Sequence, residues 1–91
     1  MNLQDSLFNW LQMKVVYNAR PDDNSALKTL EFFETILTED HHLTNITLDL
    51  SDDEMMYLVT FTQDGEGLTK KFDREIVDQL LEEINSNPKY N

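Results

Sequence analysis

A chain of 91 residues with 40% hydrophobic side chains is long enough for one small packed domain, residues 1–91, and too apolar to stay disordered. Its net charge of −11 at pH 7 disfavours direct binding to nucleic acid or to anionic membrane surfaces, because like charges repel. The sequence contains no cysteine and no apolar run near the roughly 20 residues of a membrane span, which excludes disulfides, thiolate metal sites and a spanning helix.

Residues 1–11 lack the basic start and the continuous apolar run of a secretory signal, so we expect a cytoplasmic protein. The negative charge is concentrated in residues 21–54, which carry a net charge of −9, whereas residues 1–20 carry +1. A small core buries little apolar area, and formation of a homodimer is one way in which such a chain buries more of it.

The first predicted element is an amphipathic helix over residues 3–17. Its apolar side chains recur every four residues: Leu3, Leu7, Leu11 and Val15. Asn2 or Asp5 is expected to cap its start. The helix should end before Pro21, since a proline disfavours helical backbone at the residue that precedes it. The pattern leaves open whether residues 3–40 form one kinked helix or two.

A second helical pattern begins at the polar residues 21–25, which suit a helix start. Its apolar stripe consists of Ala26, Leu30, Phe33 and Leu37, widened by Leu27, Phe32 and Ile36. Its charged side chains should face water: Lys28, Glu31, Glu34 and Glu39. We expect this helix to end near Asp40.

After His42 the apolar period changes from about 3.6 residues to two, which predicts three strands. The first strand has the alternating apolar residues Ile46, Leu48 and Leu50. A polar turn at 51–54 leads to the central strand, 55–63, and the third strand covers 68–72. The loop at 64–67 contains both glycines of the chain, which we expect to supply positive φ angles.

The last helix should begin after Asp73, whose side chain suits the cap position, and end at residues 85–88. Phe72 and Val77 have the spacing of a hydrophobic staple across this cap. The apolar stripe consists of Ile76, Val77, Leu80, Leu81 and Ile84. The element order α-α-β-β-β-α predicts an α+β two-layer sandwich, in which the helices pack on one face of a three-stranded antiparallel meander.

No segment carries a motif specific to one reaction, cofactor or metal, so we expect no catalytic activity. His41 and His42 point in different directions on a helix or a strand, and a solvated helix end explains them. The acidic segments 22–24 and 49–54 lack the glycine of a calcium-binding loop, and a solvated cap and turn explain them. The basic cluster at 70–74 is too small for a nucleic-acid footprint and suits a protected strand edge.

An aromatic group lies on the least acidic third of the chain: Phe8, Trp10 and Tyr17. Trp10 is about 100° around the helix from Leu11, which puts it at the margin of the predicted core stripe. Two interpretations are open for this group. It forms an exposed partner or homodimer interface, or it belongs to a broad stripe buried within the monomer.

The sequence therefore predicts a non-catalytic protein-interaction or self-associating module, with Phe8, Trp10 and Tyr17 as its candidate interface. One alternative is an acidic mimic of nucleic acid that inhibits a DNA- or RNA-binding protein, motivated by the net charge of −9 in residues 21–54. A second alternative is a small metal-binding protein or enzyme. The sequence indicates no cofactor and no small-molecule substrate, and the expected partner is a protein or a second copy of the chain.

Overall fold

Two separate helices open the fold, which the computed structural model describes for residues 2–86. Helix α1 spans Leu3–Ala19 and helix α2 spans Asn24–Thr35. The Asn2 side chain caps α1 by accepting an amide hydrogen bond of 2.8 Å, and Asp23 caps α2 with one of 3.0 Å. The question that the sequence pattern left open is thus resolved in favour of two helices.

Helix α2 continues into a single π-helical turn, Ile36–Asp40, before the sheet begins. The His41 amide donates to the Ile36 carbonyl at 3.3 Å, a bond that spans five residues instead of four. His42 then adopts left-handed backbone with a φ of 58° and turns the chain into the first strand. The predicted helix end near Asp40 is confirmed. The spacing of the apolar residues did not indicate that the last turn is π-helical.

The strands form an antiparallel meander in the order β1-β2-β3, as predicted. They span Leu43–Leu50, Met56–Gln63 and Glu66–Asp73. In the central strand β2, the buried residues Tyr57, Val59 and Phe61 alternate with partly exposed ones. Because alternate residues point to opposite faces, the helices cover one face of the sheet.

Strand β1 begins at Leu43, three residues before the alternation that predicted it. Its register against β2 shifts between Thr44 and Thr47, so that two residues of β1 oppose one residue of β2. Asn45, one of those two, has a left-handed φ of 54°. This bulge interrupts the alternation, which is why the sequence pattern becomes regular only from Ile46 onwards.

The β2–β3 hairpin closes with a two-residue turn, which is tighter than the predicted loop at 64–67. Asp64 and Gly65 have φ angles of 53° and 79°, the pair of left-handed residues that a type I′ turn requires. Gly67 lies within β3 and has no positive φ. The prediction that both glycines supply positive φ is therefore wrong for Gly67.

Helix α3, Arg74–Ser86, completes the helical layer and begins at the predicted cap, where Asp73 accepts a 2.9 Å hydrogen bond from the Glu75 amide. Helix α1 contacts both α2 and α3. The main apolar cluster joins the helices to the sheet: Leu7, Trp10, Leu11, Leu30, Leu37, Leu43, Tyr57, Val59, Phe61, Phe72 and Val77. A smaller cluster joins the three helices: Val16, Ala26 and Ile84. The predicted α+β fold is confirmed, although the end of α3 predicted at 85–88 lies partly outside the described residues.

Candidate functional site

The aromatic group of α1 does not form an exposed patch. Trp10 is only 3% exposed, Phe8 and Tyr17 are partly buried, and all three belong to or pack against the main cluster. The Trp10 indole Nε1 donates to Glu34 Oε1 at 3.3 Å, so Glu34 is partly buried where the helical pattern placed it in water. This arrangement matches the interpretation as a buried stripe, and an interface through Trp10 would require α1 to move off the sheet.

The exposed apolar side chains lie elsewhere. Four large ones are at least one-third exposed: Phe32, Leu50, Met55 and Ile76. Met55, in the turn between β1 and β2, is the most exposed of them at 67%, and Leu50, the last residue of β1, is 39% exposed. Phe32, predicted to widen the core stripe of α2, is 59% exposed and lies edge-on to Phe33, with ring centroids 5.3 Å apart. Two of these four exposed apolar residues thus lie in or next to the β1–β2 turn.

Hydrogen bonds within the β1–β2 turn hold the backbone of Met55. Asp53 Oδ1 accepts bonds from the Ser51 hydroxyl at 2.6 Å and from the Met55 amide at 3.0 Å. These two bonds, that from Ser51 first, lower the pKa of Asp53 below its usual value. Glu54, which precedes Met55, has a left-handed φ of 59°. The carboxylate of Asp53 therefore shapes the turn.

A groove with a volume of about 310 Å³ lies between this turn and α3, and we call it the turn–α3 groove. Its lining consists of two methionines, five carboxylates and one arginine: Met55, Met56, Glu54, Asp73, Glu75, Asp78, Glu82 and Arg74. The residues of α3 among them recur at a spacing of three and four, which places them on one side of the helix. The groove thus combines flexible, apolar methionine side chains with strong negative charge.

Arg74 is held by bonds within the protein. Its positive charge is paired with Asp78, so it does not offset the negative charge of the other carboxylates that line the groove. Its Nη1 donates to the Glu54 carbonyl at 3.0 Å, and its Nε donates to Asp78 Oδ2 at 3.3 Å. Asp78 Oδ1 also accepts a 2.5 Å hydrogen bond from the Tyr57 hydroxyl. Burial, together with the hydrogen bond and charge of Asp78, raises the pKa of Tyr57 to about 12. This network ties the turn, β2 and α3 together below the groove.

The two histidines do not form a metal site with each other. His41 lies with Nε2 3.5 Å from the hydroxyl of Ser6, which is fully buried and donates to the Asn2 carbonyl at 2.9 Å. His42 is exposed. No group of three potential metal ligands is found among residues 2–86. His41 therefore joins α1 to the end of the π turn, a role that the sequence pattern did not indicate.

The acidic residues of the middle third are spread over several elements, from the start of α2 to the turn after β1. Glu39 and Asp40 belong to the π turn before this strand, and Asp52 and Asp53 belong to the turn after it. A strand of eight residues is roughly 25 Å long, so these two acidic groups are separated by most of the sheet. A nucleic-acid mimic needs one continuous strip of carboxylates, and no observation on this part of the chain favours that alternative.

Comparisons with models of protein families, with curated proteins and with solved structures find no match to this chain. Within the described part of the chain, no helix combines the length and the apolar character that crossing a bilayer requires. Sequence reasoning missed the turn–α3 groove because its residues come from two segments that only the fold brings together. The one signal present in the sequence was Met55 beside an acidic turn.

Proposed function

We propose that this domain is a non-catalytic protein-interaction module that binds a basic amphipathic segment of another protein in the turn–α3 groove. The observation that carries the proposal is Met55, whose backbone amide is bonded within the turn and whose side chain is 67% exposed in a groove lined by carboxylates. Methionine is frequent on surfaces that bind amphipathic helices, because its flexible thioether adapts to different apolar side chains.

Charge complementarity determines the kind of partner. Four carboxylates of the groove form no ion pair within residues 2–86: Glu54, Asp73, Glu75 and Glu82. The remaining pair, Arg74 and Asp78, neutralise each other. A partner with lysine or arginine beside its apolar side chains gains attraction and a faster encounter rate from this surface.

A second copy of the chain fits the groove less well. Each copy has a net charge of −11, so bringing two copies together at an acidic groove opposes like charges. The groove holds only one or two large apolar side chains at about 310 Å³. Interfaces of this small size are weak and transient, and we expect a dissociation constant on the order of micromolar for a short basic segment.

The test is a titration of isotopically labelled protein with a synthetic helical peptide that has leucine at helical spacing and lysine at the other positions. Amide shifts should be confined to the turn and α3, and salt should weaken binding. Met55→Gln should weaken binding at least tenfold. The matched control is Phe32→Gln, which removes an apolar side chain of comparable exposure from α2 and should leave binding unchanged.

Two results would overturn the proposal. One is binding of the peptide that is insensitive to Met55→Gln or that an acidic peptide of the same pattern reproduces. The other is a homodimer in sedimentation experiments that Met55→Gln converts to a monomer, since the groove would then be covered by a second copy. The peptide titration and the sedimentation experiment together distinguish binding of a basic partner from self-association.

A further inference from the structure

A second concave site lies at the side of β1 and is independent of the turn–α3 groove. It is an open cleft of about 240 Å³ between the helical layer and the edge strand, and we call it the β1 cleft. Its lining residues are Trp10, Lys14, Glu34, Thr38, Leu43, Thr44, Asn45, Ile46 and Leu48. Polar and apolar groups therefore converge on one small concave site, which is typical of small-molecule sites.

The helical side of the β1 cleft contains one positive and one negative charge that do not neutralise each other. Lys14 follows Trp10 by four residues on α1, and Glu34 lies on α2, so two neighbouring helices present these side chains to the cleft. Within residues 2–86, Lys14 and Glu34 form no ion pair with each other. Glu34 uses Oε1 to accept the indole bond from Trp10, which leaves Oε2 available to a ligand.

The strand side of the β1 cleft owes its shape to irregular backbone. Thr44, Asn45 and Ile46 are consecutive, yet all three line the cleft, which a regular strand would not permit on one face. The bulge at Asn45 re-aims these side chains. The π turn at Ile36–Asp40 lies beside them, and it contains Thr38 of the lining. Bulges and π turns both cost regular hydrogen bonding and are concentrated next to functional sites.

We propose that the β1 cleft binds a small zwitterion of the α-amino-acid type with an apolar side chain. The ligand's ammonium group binds Glu34 Oε2, and its carboxylate binds the Lys14 ammonium. Its side chain packs against Ile46 and Leu48, which are partly buried apolar residues at the strand side. A ligand with both charges satisfies the two separated groups at once, whereas a ligand with one charge leaves the other group without its partner.

The test uses Trp10 fluorescence, because the indole bonds to the carboxylate that the ligand is proposed to contact. Three probes are titrated separately: L-leucine, leucinamide, which lacks the carboxylate, and 4-methylpentanoate, which lacks the ammonium group. We expect saturable binding of leucine and at least tenfold weaker binding of each singly charged analogue. Calorimetry with leucine provides a second readout that does not depend on the indole.

Two variants assign the charges separately. Lys14→Gln should abolish the preference for leucine over leucinamide, and Glu34→Gln should abolish the preference for leucine over 4-methylpentanoate. In Glu34→Gln the amide oxygen still accepts the Trp10 bond, so the core contact is retained. The controls are Lys28→Gln and Glu31→Gln, which remove exposed charges of α2 that do not line the cleft.

Three results would overturn the proposal. These are no saturation by leucine up to about 10 mM, equal affinity for the three probes, or loss of affinity in the variants without the stated change in preference. The comparison of the three probes needs only the parent protein, so it stands even where a variant folds poorly. None of these measurements involves the turn–α3 groove, so failure at one site leaves the proposal for the other intact.

Discussion

Replacing Tyr57 by phenylalanine removes one atom from the network that joins the turn, β2 and α3. The hydroxyl donates to Asp78 Oδ1 at 2.5 Å, and the residue is only 8% exposed, so the phenyl ring of the variant fits the same space. The change therefore isolates the hydrogen bond from the packing. Arg74 remains in contact with Asp78 after the substitution, which limits how much is lost.

The magnitude follows from the strength of a hydrogen bond to a charged group. A hydrogen bond to a charged group contributes about 1.5–3 kcal/mol to the free energy of unfolding. Burial is the largest cause of the raised pKa of Tyr57 and the hydrogen bond to Asp78 comes next, so only part of that shift belongs to the bond. The side chain of Asp78 is 22% exposed, and water weakens the interaction there. We therefore expect Tyr57→Phe to lower the free energy of unfolding by about 1–2 kcal/mol.

The assay is urea and thermal unfolding of the parent and Tyr57→Phe at pH 7, 10 and 12. At pH 7 the melting temperature of the variant should be lower by roughly 5–15 °C. Since the folded pKa is raised, the contribution of Tyr57 is fully present below pH 10 and is lost as the pH rises from 10 to about 12. The difference between parent and variant should therefore shrink over that interval.

Tyr17→Phe is the matched control, because Tyr17 is only partly buried and its hydroxyl has no hydrogen-bond partner within the described residues. It should unfold like the parent at pH 7. The reasoning is refuted if Tyr57→Phe and Tyr17→Phe have equal stability at pH 7. It is also refuted if the deficit of Tyr57→Phe is the same at pH 12 as at pH 7.

Three further substitutions test local features of the fold by urea unfolding. Gly65→Ala should destabilise by about 1 kcal/mol because Gly65 has a φ of 79°, whereas Gly67→Ala, without a positive φ, should have a smaller effect. Asp23→Ala should cost about 1–2 kcal/mol through loss of the α2 cap, and a parent-like midpoint would contradict this role. The lowered pKa of Asp53 makes its contribution present above pH 3.8 and lost as the pH falls below it, so Asp53→Asn should weaken the decline in stability in acid.

The order and type of the elements were predictable because they depend on the spacing of apolar residues within each segment. The alternation in β2 and the helical stripe of α3 are properties of contiguous residues, and the structure confirms both except at Ile76, which is 56% exposed. Glu34 was misplaced, and the position of Trp10 was left open, for one physical reason. The two residues lie 24 positions apart, and a hydrogen bond between them joins the buried Trp10 to the partly buried Glu34. An argument from apolar periodicity treats each helix separately, so it cannot detect a hydrogen bond between two helices.

The candidate sites were less predictable than the fold because both are assembled between elements. The turn–α3 groove needs the turn after β1 to lie beside α3, a contact fixed by the bond from the Arg74 amide to the Met55 carbonyl at 3.0 Å. The β1 cleft needs two departures from regular backbone, the π turn and the bulge at Asn45. The sequence does contain one trace of the bulge, since the alternation fails between Leu43 and Ile46.

The interrupted alternation between Leu43 and Ile46 leads to a prediction about the role of Asn45. When Asn45 is deleted, residues 43–50 read Leu-Thr-Ile-Thr-Leu-Asp-Leu, which is a strict alternation. Ile46 then pairs with the single β2 residue that faces both Asn45 and Ile46 in the parent. Deletion of Asn45 should therefore give a folded protein with a free energy of unfolding equal to the parent's or up to about 1 kcal/mol higher.

The same deletion should weaken leucine binding at least tenfold, because the strand side of the β1 cleft loses the irregularity that shapes it. Asn45→Gly is the control: it keeps the bulge and the left-handed φ, and it should bind leucine more tightly than the deletion variant does. A deletion variant that fails to fold would contradict the register argument. One that folds and binds leucine as the parent does would show that the bulge has no part in forming the cleft.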